Sequence, residues 1–195
     1  MKKIIWIIIP LVVLVVVTLR FGASSEDYNA DFEKYWKEKH DFFKNSRESP
    51  FVQKNISYEK VKVFPFNPDY RVNAKLHRFT TREILTLSNS DGTRTNYLKY
   101  ANAKFKIGGT EHSILILKRP GFGNQYLTAF GDETSGETTY GGGRYLDLKI
   151  GKSDRIEIDF NKAYNPYCAY FDDFTCPLPP KENLLTVAIR AGEKL

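Results

Sequence analysis

The sequence is poor in the residues from which most catalytic and metal centres are built. Its 195 residues hold two cysteines, Cys168 and Cys176, and three histidines, His40, His77 and His112. Zinc takes four nitrogen, sulfur or carboxylate ligands at close spacing, and three scattered histidines do not complete a pair of cysteines. No metal and no cofactor is indicated. Gly-x-Ser-x-Gly is absent and no serine stands apart from the others, so a hydrolase triad has no foothold. The acidic, Thr-rich run of Asp132, Glu133 and Glu137 matches no EF-hand spacing. Gly141, Gly142 and Gly143 invite a phosphate-loop reading, but a strand pattern follows where such a loop needs a helix N-terminus. A bulge or a close backbone approach is the better use of three glycines there. There is no internal repeat and no low-complexity tract.

Charge of one sign is also missing. The formal net charge is +6, yet Lys2, Lys3 and Arg20 flank an apolar leader, and without them 26 basic residues face 23 acidic ones. The remaining basic residues are interspersed with acids, which argues against a nucleic-acid partner.

The longest uncharged run is Ile4 to Leu19, preceded by Lys2 and Lys3. At about 1.5 Å per residue it makes roughly 24 Å of helix, short for a membrane span but extendable through Phe21 and Ala23 with Arg20 reaching the interface. A cleaved signal peptide is the competing reading, though Phe21 fits a small-x-small cleavage site badly. The expectation is an N-terminal membrane anchor or uncleaved signal over residues 1–23. A single extracytoplasmic domain over 24–195 then lies outside the cytoplasm, with the chain as a single-pass membrane protein.

Residues 25–45 read as an amphipathic helix, because Tyr28, Phe32, Tyr35, Trp36 and Phe43 recur at three- and four-residue spacing. Ser49 and Pro50 stop it, and the period changes to two over residues 50–195. Strands are expected at Ile56 to Phe64, Tyr70 to Phe79, Glu83 to Leu87, Thr95 to Ile107, Glu111 to Lys118 and Tyr126 to Phe130. Three more follow at Arg144 to Ile150, Arg155 to Phe160 and Leu184 to Arg190. Many short strands with close turns predict a mainly β fold, an antiparallel β-barrel or sandwich with an N-terminal amphipathic helix after the membrane helix. Parity predicts a hairpin turning at Gly151, Lys152 and Ser153 that pairs Leu148 with Ile156 and Leu146 with Ile158. It sets Tyr145 opposite Asp159 and Asp147 opposite Glu157. It also points Arg144 inward, where an arginine wants a carboxylate partner or a bound anion.

In an exported domain, Cys168 and Cys176 read as a candidate disulfide, which would stabilise by about 2.6 kcal/mol in the chain-entropy model. Two structural thiols are the alternative. The C-terminal half resembles the bacterial and archaeal family known as domain of unknown function 1684. The resemblance rests on Asp132 to Gly136, GGGRYLDL at 141–148, DFNKAYNPYCAY at 159–170, CPLPPKEN at 176–183 and AGEK at 191–194, with SP at 49–50 and DYRV at 69–72 as weaker matches. It covers roughly residues 47–195. The resemblance implies a shared polar pocket or corner but no activity, and relatives without a leader would count against the disulfide.

Two functions follow as expectations. One is a tethered binding or structural module whose open end is lined by Arg144, Asp132, Asn161, Tyr164, Asn165, Tyr167 and Glu182. It would take a small anionic or ring-bearing ligand. The other is a hydrolase-like enzyme with Glu182 or Asp132 as acid or base and Arg144 as charge stabiliser. Against both stands an Arg144 paired internally to Glu182 or Asp132.

Overall fold

The computed structural model describes residues 26–195 apart from 122 and 124, so the expected leader lies outside the described residues. Among them no helix is long and apolar enough to cross a membrane. Helix α1 covers residues 26–45, and its stripe behaves as the spacing predicts: Phe32, Trp36 and Phe43 are buried. A four-residue helical turn, α2 (Pro50–Gln53), follows.

The strands are β1 (Lys62–Val63), β2 (Arg71–Arg78), β3 (Ile84–Ser88), β4 (Arg94–Ile107), β5 (Thr110–Lys118), β6 (Tyr126–Phe130), β7 (Arg144–Leu148), β8 (Arg155–Asp159) and β9 (Glu193–Lys194). Among the described residues β1 pairs with β9 alone, while the others form one antiparallel sheet in the order β7-β6-β5-β4-β2-β8 with β3 on β4. β4 and β5 make the longest hairpin. Its turn, Gly108 and Gly109, needs φ of +58° and +83°, which glycine adopts without strain.

The expected hairpin between Arg144 to Ile150 and Arg155 to Phe160 does not form. β7 bonds to β6 and β8 to β2, so the two are opposite edges of the sheet. Asp147 therefore stands opposite Leu127, and Glu157 opposite Asn73. The parity argument placed the apolar faces correctly, since Leu146, Leu148, Ile156 and Ile158 all enter the main core. Parity says which face is buried; it does not say which neighbour buries it.

The sheet is a half-barrel, and the chain itself shows how it curls. Asp159 ends the β8 edge, and five residues later Tyr164 exchanges backbone hydrogen bonds with Tyr145 on the β7 edge, at 2.8 and 3.0 Å. Five residues span at most about 18 Å, so the two edges approach each other at this end. Phe160 and Ala163 of the crossing segment point into the core. α1 lies over that crossing: Trp36 Nε1 donates to Asn161 O at 3.0 Å, and the Tyr35 hydroxyl to Lys162 O at 3.1 Å. A second cluster, Leu87, Tyr97, Leu115 and Leu117, lies apart from the main one. An aromatic cluster of Phe43, Phe51 and Phe171 joins the helices to the 167–174 loop.

Two expected strands are mostly irregular. Only Lys62–Val63 of Ile56 to Phe64 pairs, because Tyr58 is drawn into the aromatic cluster and holds His40 Nδ1 at 2.5 Å. Leu184 to Arg190 runs beside the sheet with a single bridge, Gly131 to Leu184. Leu185 and Val187 also make backbone hydrogen bonds with Gly131 and Glu133, and further along side chains take over, as described next.

Candidate functional site

Arg144 leads β7 into the core and is 1% exposed. Its guanidinium donates to Asp132 Oδ2 at 2.8 Å and to the carbonyls of Ile189 at 2.8 Å, Ala191 at 2.5 Å and Glu193 at 3.2 Å. Gly192, at φ +75°, bends the chain between the Ala191 and Glu193 carbonyls, and the planar fork gathers all three carbonyls in place of a neighbouring strand. Burial pulls the guanidinium below its ordinary value, and the adjacent Asp132 carboxylate opposes that. Asp132 is as fully engaged, accepting also from the Thr134 backbone N–H at 2.8 Å and the Thr134 hydroxyl at 2.5 Å. The expected internal pair is thus Arg144 with Asp132. Glu182 is exposed on the 3-10 turn Lys181–Asn183 and is no partner of Arg144. Of the two carboxylates that the hydrolase-like reading offered beside Arg144, the structure brings Asp132 to it and leaves Glu182 away from it.

The other polar residues of the motifs divide in two. Asn161 is a staple: its side chain bonds the Asn67 N–H and carbonyl and Asp159, each at 2.9 Å. Asn165 donates its backbone N–H to the Glu193 carboxylate at 2.9 Å, and the Tyr170 hydroxyl donates to the same group. Burial pushes the Glu193 carboxyl above its ordinary value, against those two hydrogen bonds and the charges of Lys39 and Arg144. Asn183 is a wedge between β5 and β6, bonding Leu115 N–H at 2.6 Å and three acceptors on Leu115, Thr128 and Ala129. Of the three glycines, Gly143 serves the expected close backbone approach, Gly142 lies against the Tyr140 ring, and a side chain at Gly141 would meet only ordinary contacts. A Cβ on Gly143, which has φ +84°, would lie 2.5 Å from Pro179 and 2.6 Å from the Phe130 carbonyl.

Tyr164 and Tyr167 instead line a cleft of about 430 Å³ together with Lys39, Arg119, Tyr145, Asp147 and Cys176. By parity Tyr145 and Asp147 leave the β7 edge on the face opposite Arg144, so one short strand supplies a core pin and a cleft wall. The Tyr164 hydroxyl donates to Asp147 at 2.9 Å, and the Tyr145 hydroxyl to the Pro177 carbonyl at 2.5 Å. Lys39 comes from α1, half-buried, with its ammonium 3.7 Å from the centre of the Tyr164 ring. No carboxylate lies within 4.0 Å of that ammonium among the described residues. Burial pulls Lys39 from 10.5 down to about 8, with Glu193 and Asp147 pulling the other way. Such an amine is charged at neutral pH yet incompletely solvated.

Cys176 reaches this cleft and Cys168 stands beside it. Both are free thiols here, with the Cys168 N–H donating to Cys176 Sγ at 3.3 Å and the Tyr140 hydroxyl to Cys168 Sγ at 3.8 Å. Burial pushes the Cys176 thiol up to about 12, so it is not a thiolate nucleophile at neutral pH.

Sequence reasoning missed Lys39, Tyr145 and Asp147. The signal for Lys39 was present: Phe32, Trp36, Lys39 and Phe43 fall at spacings of four, three and four, so a lysine occupies the inward stripe. Asp147 was assigned to a hairpin that does not exist.

The sequence model of a family described as protein of unknown function (DUF1684) matches residues 56–194. That stretch includes every strong motif quoted above and excludes Ser49 and Pro50. Among solved structures, the chain is similar to the solution NMR structure of an uncharacterised protein from Haloarcula marismortui. The two are 33% identical with a TM-score of 0.68, over 89% of this chain and 97% of that one. No curated protein matches.

Proposed function

We propose that this chain, which belongs to the DUF1684 family of proteins of unknown function, is a membrane-tethered ligand-binding module whose site is the tyrosine-walled cleft between α1 and β7. The ligand is a small molecule with a carboxylate or phosphate group for Lys39 and a flat or apolar part for Tyr145, Tyr164 and Tyr167. One observation carries the reading: a half-buried ammonium with no ion-pair partner among the described residues, at a cleft of about 430 Å³. A cation held short of solvent and short of a counter-ion gains from an arriving anion. Arg144, whose polar contacts go to Asp132 and three backbone carbonyls, is no part of this site. The tether is the Ile4 to Leu19 run, supported by its length and by the lysines before it.

The reading is tested by thermal melts of the full chain with millimolar acetate or benzoate, which share a carboxylate and differ by a ring. Benzoate is expected to raise the melting temperature more than acetate, and Lys39→Met to remove the response to both. Equal responses in the variant, or no response to either anion, refute the site.

A further inference from the structure

The face of β2, β4 and β8 that points away from the core carries charges that folding alone does not favour. Lys75 of β2 stands directly opposite Arg155 of β8 on one side and Lys104 of β4 on the other. All three are exposed, so three cations form a row across three strands. Like charges directly opposite one another destabilise a sheet. With Arg71 and Lys106 the row lines a concavity of about 770 Å³, whose acids are Asp69 and Glu111. Lys104 holds Glu111 at 3.3 Å, while Lys75, Lys106 and Arg155 make no ion pair among the described residues.

The start of the described chain touches the same place. The Tyr28 ring lies 3.7 Å from the Arg71 guanidinium, and Asp31 lies 3.8 Å from it. From Leu19, where the apolar run ends, to residue 26 is seven residues, at most about 25 Å of chain. A domain tethered through that run cannot hold this face far from the lipid.

We propose that the row Arg155, Lys75 and Lys104, with the concavity around it, rests on the anionic phospholipid headgroups of the membrane from which the chain emerges. The proposal rests on the tethered reading. An anionic surface relieves the like-charge contacts and attracts each basic residue by about 1 kcal/mol, a factor of about five per charge.

The full chain is placed in lipid nanodiscs of phosphatidylcholine, alone or mixed with phosphatidylglycerol, and its lysines are acylated and read by mass spectrometry. Lys75 and Lys104 are expected to react about five-fold more slowly in the anionic discs, with Lys44 and Lys181 unchanged and high salt restoring the rate. Equal rates for Lys75 in the two discs, or a slowing shared by Lys181, overturn the proposal. So does inorganic phosphate that protects Lys75 as well in neutral discs, which marks an ion site rather than a lipid surface. If the chain leaves the neutral discs, the tether fails by itself, and flotation with anionic vesicles then decides. Flotation lost in the triple variant Lys75→Gln, Lys104→Gln, Arg155→Gln supports the surface, and no flotation overturns it. That variant is expected to melt no lower than the wild type, because the like-charge contacts it removes offset the exposed Lys104–Glu111 pair it also breaks.

Discussion

Replacing Arg144 by alanine separates a structural pin from a ligand receptor. The change leaves Asp132 as a buried carboxylate without its cation and takes the donors from the carbonyls of Ile189, Ala191 and Glu193. Breaking a buried pair from one side costs about 3–5 kcal/mol, because the remaining charge is uncompensated. At about 2–4 °C per kcal/mol for a domain of this size, the melting temperature should fall by roughly 6–20 °C. Circular dichroism of the full chain during heating reads this directly. Removing Asp132 as well should recover part of the loss, since Asp132→Ala in the Arg144→Ala background deletes the orphaned carboxylate. A melting temperature within about 2 °C of wild type would refute the pin.

Other perturbations follow from the same network. Lys39, held near 8 when folded against 10.5 ordinarily, binds its proton less well in the folded chain, so stability attributable to it rises between about pH 8 and 10.5. Lys39→Met should abolish that rise in denaturation experiments across the range. Glu193 has the opposite sign: its raised value means that stability is greatest with the carboxyl protonated and falls as pH climbs through the folded value, above 4.5. Glu193→Gln should flatten that fall in melts between acid and neutral pH. Asn183→Ala strands the Leu115 N–H and takes a donor from the Ala129 carbonyl, while the Leu115 carbonyl and the Thr128 hydroxyl keep each other, and should cost about 3 kcal/mol in chemical denaturation. Mild oxidation should join Cys168 to Cys176, adjacent here as free thiols, and stabilise by up to about 2.6 kcal/mol. Two alkylatable cysteines after oxidation would count against the clasp.

Periodicity made most of the sheet legible. Tyr126 to Phe130 matches its expected bounds, and Arg71–Arg78 and Arg94–Ile107 differ from theirs by one or two residues. The inward turn of Arg144 was legible for the same reason, since a period of two fixes the face of every residue once Leu146 and Leu148 are assigned to the core. Pairing was not legible. Nothing in the spacing of residues 149–154 distinguishes a hairpin from a connection across the gap of a half-barrel, and Asp147 was misplaced with it. The 184–190 stretch reads as a strand from its apolar pattern, but beyond the contacts of Leu185 and Val187 with residues 131–133 it has no strand beside it among the described residues, and the Ile189 carbonyl is taken by Arg144 instead. Asn161 and Asn165 were recognised as a polar corner, but only the fold distinguishes a staple such as Asn161 from a cleft wall such as Tyr164. Lys39 sits about a hundred residues before any motif it joins, and only the helix stripe pointed to it.

The central claim is that Lys39, not Arg144, receives the ligand. Titrating the Lys39 side chain by NMR, with and without benzoate, tests it most directly. The account predicts a midpoint near 8 in the free protein and an upward shift when the anion binds. A midpoint near 10.5 that benzoate does not move would contradict it.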